Sequence, residues 1–138
     1  MPTYVLSLLG RDARAGMLEA LPAGMRLGHL AVLGALADRD SSSQRELGAL
    51  LALHPTDLVA IIDDLVDRSL AEREVDPADR RRRLVRITPT GQELVAECTT
   101  KSVEVVEQLL AGLPRPDQAT VMRLLTEAIE RRSGQAQP

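Results

Sequence analysis

The chemically most capable residues in this 138-residue chain are arginines. Arg73, Arg80, Arg81, Arg82, Arg83 and Arg86 place six of the 17 basic residues within a stretch of 14 positions. A guanidinium group is planar, forked and permanently charged, which suits it to phosphate oxygens and to the negative potential of a narrow minor groove. A solvated charge run, or a turn salt-bridged through Asp76 and Asp79, would have the same composition. The run alone does not choose between them. The element that carries it, and the elements before it, do.

Other reactive side chains give weaker signals. The sequence holds no G-x-G-x-x-G, P-loop, H-E-x-x-H or G-x-S-x-G pattern, so no enzyme activity and no cofactor is expected. His29 and His54 lack a paired spacing such as H-x3-H, and no metal site is expected. His29 reads as a helix-surface residue near a lobe interface, His54 as a cap on the helix that follows it or a phosphate partner. Cys98 is the single cysteine. It cannot close an intrachain disulfide, which fits a reducing, cytoplasmic setting. It falls on an apolar helical stripe and reads as a small buried hydrophobe; a reactive thiol wants exposure and nearby positive charge.

The elements that must position the arginines are mostly helical. Residues 2–21 carry Tyr4, Val5, Leu8, Leu9, Ala15 and Leu18 at loosely helical spacing before Pro22-Ala23-Gly24 ends the segment. Leu27, Leu30, Leu33 and Leu36 stripe a second helix. Ser43-Gln44-Arg45-Glu46 has the spacing of a capping box and opens a short third one. Pro55 opens a fourth, running to about Arg68, with Leu58, Ile61, Ile62 and Leu65 inward. Thr56, Ala60, Asp63 and Asp67 face out, flanked by Asp57 and Asp64. Residues 70–75 and 84–87 read as two strands around the turn Asp76-Pro77-Ala78-Asp79. Thr88-Pro89 starts a long helix to about Ala111, and a last helix carries Val121, Leu124, Leu125 and Ile129. Residues 133–138 read as a frayed polar tail.

The third and fourth helices, joined by the tight Leu53-His54-Pro55 link, make a helix-turn-helix, and the hairpin behind them is a wing. An arginine run on a wing favours nucleic acid over a solvated face. The fold class is therefore mainly α with a small β-hairpin wing. Terminal helices this apolar in a 15.0 kDa chain suggest burial against a second copy. The composition agrees by exclusion. One tyrosine, with no Phe or Trp, leaves almost no platform for stacking single-stranded bases. The net charge of -3 argues against a general nucleic-acid coat, yet permits basic charge concentrated at one spot. The only N-terminal apolar run is too short for a signal peptide or a membrane span.

Asp79-Arg80-Arg81 followed by Ile87-Thr88 resembles the wing signature D-x-R-x5-[LI]-T of the MarR family of bacterial transcription regulators. Ser43-Gln44-Arg45-Glu46-Leu47 is similar to the family's S-Q-x-E-L, and Thr88-Pro89-Thr90-Gly91 to its L-T-x-x-G. The resemblance is strongest from Arg26 to Gly91. It implies one domain over 1–138: a winged helix-turn-helix lobe at 25–90, with dimerisation helices at 1–24 and 91–133. It also implies a homodimer on a pseudo-palindromic double-stranded operator, acting as a repressor. The helix from Pro55 would lie in the major groove and the wing in the minor groove.

The DNA-contacting set the resemblance implies is Ser43, Gln44, Arg45, His54, Pro55, Thr56, Asp57, Ala60, Arg80, Arg81, Arg82 and Arg83, with Asp79 shaping the wing. Where relatives often carry a Ser or Thr pair and then arginine, this chain has Thr56, Asp57, Ala60 and Asp64. Guanine readout by arginine in mid-helix is thus lost, and the acids repel phosphate. Ser69 stands where the family commonly has glycine for a left-handed turn. A small-molecule effector is possible; with Tyr4 the lone aromatic, its crevice should be aliphatic. Two opposing readings are a degenerate winged-helix dimer acting through protein interaction, and an oxidant-sensing regulator built on Cys98.

Overall fold

The computed structural model describes residues 1–39 and 41–135. Helix α1 (Pro2–Ala20) begins with proline in its first turn, where no amide partner is lost, and ends at Leu21. A link through Gly24, at φ 81°, turns the chain into α2 (Leu27–Ala37). Strand β1 (Ser42–Ser43) leads directly into α3 (Gln44–Leu51). Then come α4 (Pro55–Asp67), β2 (Ala71–Val75), β3 (Arg83–Ile87), α5 (Pro89–Leu109) and α6 (Arg115–Gln135).

The expected hairpin is one part of a three-stranded antiparallel sheet with order β1-β3-β2. Ser42 pairs with Val85 and Ser43 with Leu84, while Ala71 pairs with Ile87 at the far side of β3. The sequence carries no warning of β1, because two serines show neither alternation nor β-branched character. The strand exists because β3 offers it a free backbone edge. Its effect is to tie the start of α3 to the base of the wing.

The core contains no aromatic side chain and is mostly aliphatic. Val32, Leu33 and Leu36 of α2, Leu47 of α3, Leu58, Ile62 and Leu65 of α4 and Val85 of β3 are fully buried together. Thr88 caps α5, accepting from the Gly91 amide at 3.1 Å and donating its own hydroxyl to the Ser69 carbonyl at 2.7 Å. Gly91 lies so close to Leu70 that a Cβ would overlap that residue's carbonyl oxygen. The wing and the long helix behind it are thereby held in one fixed relation.

α1 runs along α5, closely enough that a Cβ on Gly16 would meet Val105. Tyr4, Val5, Leu6, Val103, Met122, Leu124, Leu125 and Ile129 of α1, α5 and α6 are exposed. Helix α6 continues through Gln135, past the expected end at 133; residues 136–138 of the expected frayed tail lie outside the described residues. No helix among the described residues is long and apolar enough to cross a membrane.

Candidate nucleic-acid interface

The interface starts from the first turn of α3. Ser43 Oγ accepts from the Glu46 amide at 3.2 Å, and Glu46 Oε2 accepts from the Ser43 amide at 2.8 Å. This is the reciprocal capping box the sequence predicts. The structure adds a third partner. Arg82 reaches back from the wing to donate to both Glu46 Oε1 and Ser43 Oγ, and its Nε lies 3.9 Å from Asp76. The Ser43 amide first, and then the Arg82 guanidinium, hold the Glu46 carboxyl down to about 2 from its ordinary 4.5.

That arrangement gives two residues of the expected contact set partners within the chain. Ser43 is buried and its hydroxyl is occupied, and Arg82 is a strut between wing and α3. The other wing arginines also divide. Arg73 pairs with Asp63 of α4, and Arg86 with Glu74 across the sheet. Arg80, Arg81 and Arg83 are exposed, with no side-chain partner among the described residues. The run of six is thus three fasteners and three open cations. Sequence spacing does not separate them, because the acids they meet lie 10, 12 and 36 positions away.

The turn that presents the open arginines is built by aspartates. Asp76 Oδ1 accepts from the Ala78 amide at 2.8 Å and Asp79 Oδ1 from the Arg81 amide at 3.0 Å. The Asp79 carbonyl accepts from the Arg82 amide at 2.9 Å. Asx turns of this kind fix a tight reversal without glycine. Asp79 therefore sets the direction in which Arg80 and Arg81 leave the backbone.

α4 is placed by His54 and Pro55. His54 Nδ1 accepts from the Thr56 amide at 3.2 Å, so the histidine is the cap and proline follows at the first turn. Ala52 turns the chain between the helices at φ 51°. Thr56, Asp57, Val59 and Ala60 are exposed on its first two turns. Gln44 and Arg45 face Pro55 and Val59 across an apolar groove of about 370 Å³ that also takes in Ala49 and Leu53. Val59, 41% exposed, is absent from the set expected from sequence; its position off the buried stripe was the available signal.

The acidic load on α4 is lighter than the sequence implies. Asp63 is paired with Arg73, and Asp64 Oδ2 lies 2.8 Å from Arg68 Nε and 3.0 Å from His29 Nε2. His29 is not the surface residue expected from its position: it is 3% exposed. Its Nδ1 accepts from the Arg26 amide at 3.1 Å, capping α2, which leaves the proton on Nε2 to donate to Asp64. One imidazole satisfies a helix start and a carboxylate at once, and that is why it can be buried. Ser69, with φ 59°, occupies the left-handed turn expected of it.

Cys98 is 2% exposed in the core, and burial pushes its thiol pKa up, the opposite of an activated cysteine. A crevice of about 300 Å³ lies between the α1–α2 link, the end of α4 and the start of α5. It is lined by Met25, Leu70 and Leu94 with Arg68, Glu93 and Glu97, and holds no aromatic side chain.

Residues 23–82 match the model described as MarR family. Over 95 residues the chain is 32% identical to the transcriptional regulator HosA of Escherichia coli O111:H-, covering 69% of this chain and 70% of HosA. It is 29% identical over 98 residues to the HTH-type transcriptional repressor NicR of Pseudomonas putida, covering 71% of this chain and 62% of NicR. The fold is similar to that of a mutant MarR from Escherichia coli complexed with operator DNA. That match has a TM-score of 0.73 at 21% identity and covers 91% of each chain.

Proposed function

Because the chain belongs to the MarR family of transcriptional regulators, and is not an enzyme, we propose that it works as a homodimeric repressor on a pseudo-palindromic operator. The observation that carries this is the division of the wing arginines. Arg80, Arg81 and Arg83 are held out on an Asx-built turn with no acidic partner among the described residues, while Asp63, Glu46 and Glu74 pair with Arg73, Arg82 and Arg86. In each lobe α4 enters the major groove and the wing tip the adjacent minor groove. Arg45, Gln44 and the His54-capped start of α4 meet the phosphates between them, where free helix amides favour anions. Half-sites lie about one helical turn apart.

The dimer reading rests on the exposed apolar residues of α1, α5 and α6, and on α6 making few contacts with the rest of its own chain. A repressor role is supported by the likeness to NicR. Release by a small molecule belongs to the same proposal, with the aliphatic crevice beside Arg68 as its site. Its two glutamates and its lack of aromatics make it a poor seat for an aromatic acid. The test is a titration of the full chain against duplexes from the DNA flanking its own coding sequence, with mass measured by sedimentation. Two protomers per shifted duplex, and affinity that falls steeply with salt, are expected. A shift by one protomer, or no salt-sensitive shift on any flanking duplex, overturns it.

A further inference from the structure

We infer that α4 reads its half-site through pyrimidines: thymine methyl groups against Thr56, Val59 and Ala60, and one cytosine amino group donated to Asp57. The inference rests on the DNA-binding reading above and adds the chemistry of its sequence preference. Purine edges in the major groove are recognised by Arg or Lys at guanine and by Asn or Gln at adenine. The segment Pro55–Asp67, PTDLVAIIDDLVD, contains none of these. Whatever α4 discriminates, it does so with methyl groups, one hydroxyl and carboxylates.

The carboxylates then narrow to one. Asp63 is bound to Arg73, and Asp64 to Arg68 and His29. Asp67 sits at the last residue of the helix, whereas the N-terminal turns of a recognition helix reach the bases. Asp57, exposed on the first turn and with its carboxylate unpartnered among the described residues, is the remaining acceptor. A carboxylate facing bases needs a donor. Cytosine N4 supplies one beside a C–H edge, while adenine N6 comes with the N7 acceptor alongside, which a second carboxylate oxygen would oppose.

The apolar part is equally directed. Val59 is 41% exposed and Leu50 of α3 is 52% exposed. The groove of Ala49, Leu53, Pro55 and Val59 continues that surface under Gln44 and Arg45. The one apolar feature a major groove offers is the thymine C5-methyl group. Ala60, small and outward, permits its close approach. Arg45 lines this groove, and Arg80, Arg81 and Arg83 are exposed on the wing of the same chain, so the occupant that suits both is a polyanion with methyl groups, which is duplex DNA.

The experiment is selection of bound duplexes from a randomised pool by the full chain, followed by affinity measurement on the selected half-site. A core of thymines with one cytosine on a single strand is expected. Replacing those thymines with deoxyuridine removes only the methyl groups, and affinity should fall about fourfold for each one buried. Asp57→Asn should move the preference at its base from cytosine to adenine and leave the other positions alone. A guanine core, a core with no preference under α4, or equal affinity for uracil and thymine overturns this inference while DNA binding stands. Failure to enrich any duplex, with no salt-sensitive binding to the pool, overturns the DNA-binding reading itself.

Discussion

Arg81 and Arg82 are adjacent in sequence and should fail in different ways when replaced by alanine. Arg81 is exposed, without a side-chain partner among the described residues, and its backbone amide is already held by Asp79. Removing its side chain costs the fold nothing visible. In the proposed binding mode each lobe turns the exposed cations Arg45, Arg80, Arg81 and Arg83 toward DNA. A dimer with all of them at phosphates would neutralise about eight charges, an upper bound near −7 for the slope of log affinity against log salt, at about 0.9 per contact. Arg81→Ala removes one contact per lobe, so the slope should become shallower by about 1.8. Between about 50 and 200 mM salt the loss of affinity should then shrink roughly twelvefold. Arg82→Ala instead cuts the link from the wing to Glu46 and Ser43, and should lower the melting temperature. Fluorescence anisotropy at a series of salt concentrations gives the slopes, and thermal melts give the stabilities. An unchanged slope for Arg81→Ala refutes the reasoning, as does an Arg82→Ala protein that melts like the wild type and loses slope as Arg81→Ala does.

Glu46 titrates near 2 in the folded chain against an ordinary 4.5. Its contribution is therefore fully present above about pH 4.5 and disappears as pH falls through about 2. Glu46→Gln should melt lower than wild type at about pH 7, with the gap closing toward about pH 2; a constant gap in melts across that range counts against the assigned cause. Ser69→Gly and Ala52→Gly relieve left-handed backbone at φ 59° and 51°, and each should add about 0.5–1 kcal/mol to urea stability. Lower stability in both would mean the turns hold the side chains for another reason. Cys98 should resist an aromatic disulfide reagent in the native protein and react only on unfolding, with DNA affinity indifferent to peroxide. Stoichiometric labelling of the native chain would restore the oxidant-sensing reading.

Much of this was legible because it is local. The capping box at Ser43, the proline at Pro55, the Thr88 cap and the inward set Leu58, Ile61, Ile62 and Leu65 depend on residues within one or two turns, and each stands as its spacing implies. The left-handed turn at Ser69 was legible only through the resemblance, because Ser69 stands where the family commonly has glycine. Long-range pairing was not. β1 has too little pattern to announce itself. His29 looks like a surface residue until α4 brings Asp64 to its far nitrogen. The wing arginines are chemically identical in sequence, and only the folded placement of β2, β3, α3 and α4 assigns Glu74, Asp63 and Glu46 to three of them.

That assignment resolves the apparent conflict between an acidic chain and a DNA ligand. Net charge acts at distances beyond the Debye length only weakly, about 8 Å at physiological salt, so the field met by a phosphate is set by the nearest unpaired groups. Around the interface the acids are used as fasteners: Asp63 anchors β2 to α4, Asp64 anchors α2 and Arg68, and Glu46 anchors the wing. Each takes a basic partner with it. What that subtraction leaves is a wing tip of three arginines and an α4 whose first turns keep a single open acid, Asp57. In the proposed binding mode affinity comes from the wing and α3, which carry the cations, and discrimination falls to a helix whose exposed side chains are small, apolar or acidic. That proposal separates tight binding and base choice onto different elements, so changes on α4 should alter which sequence is bound with little change in the salt slope.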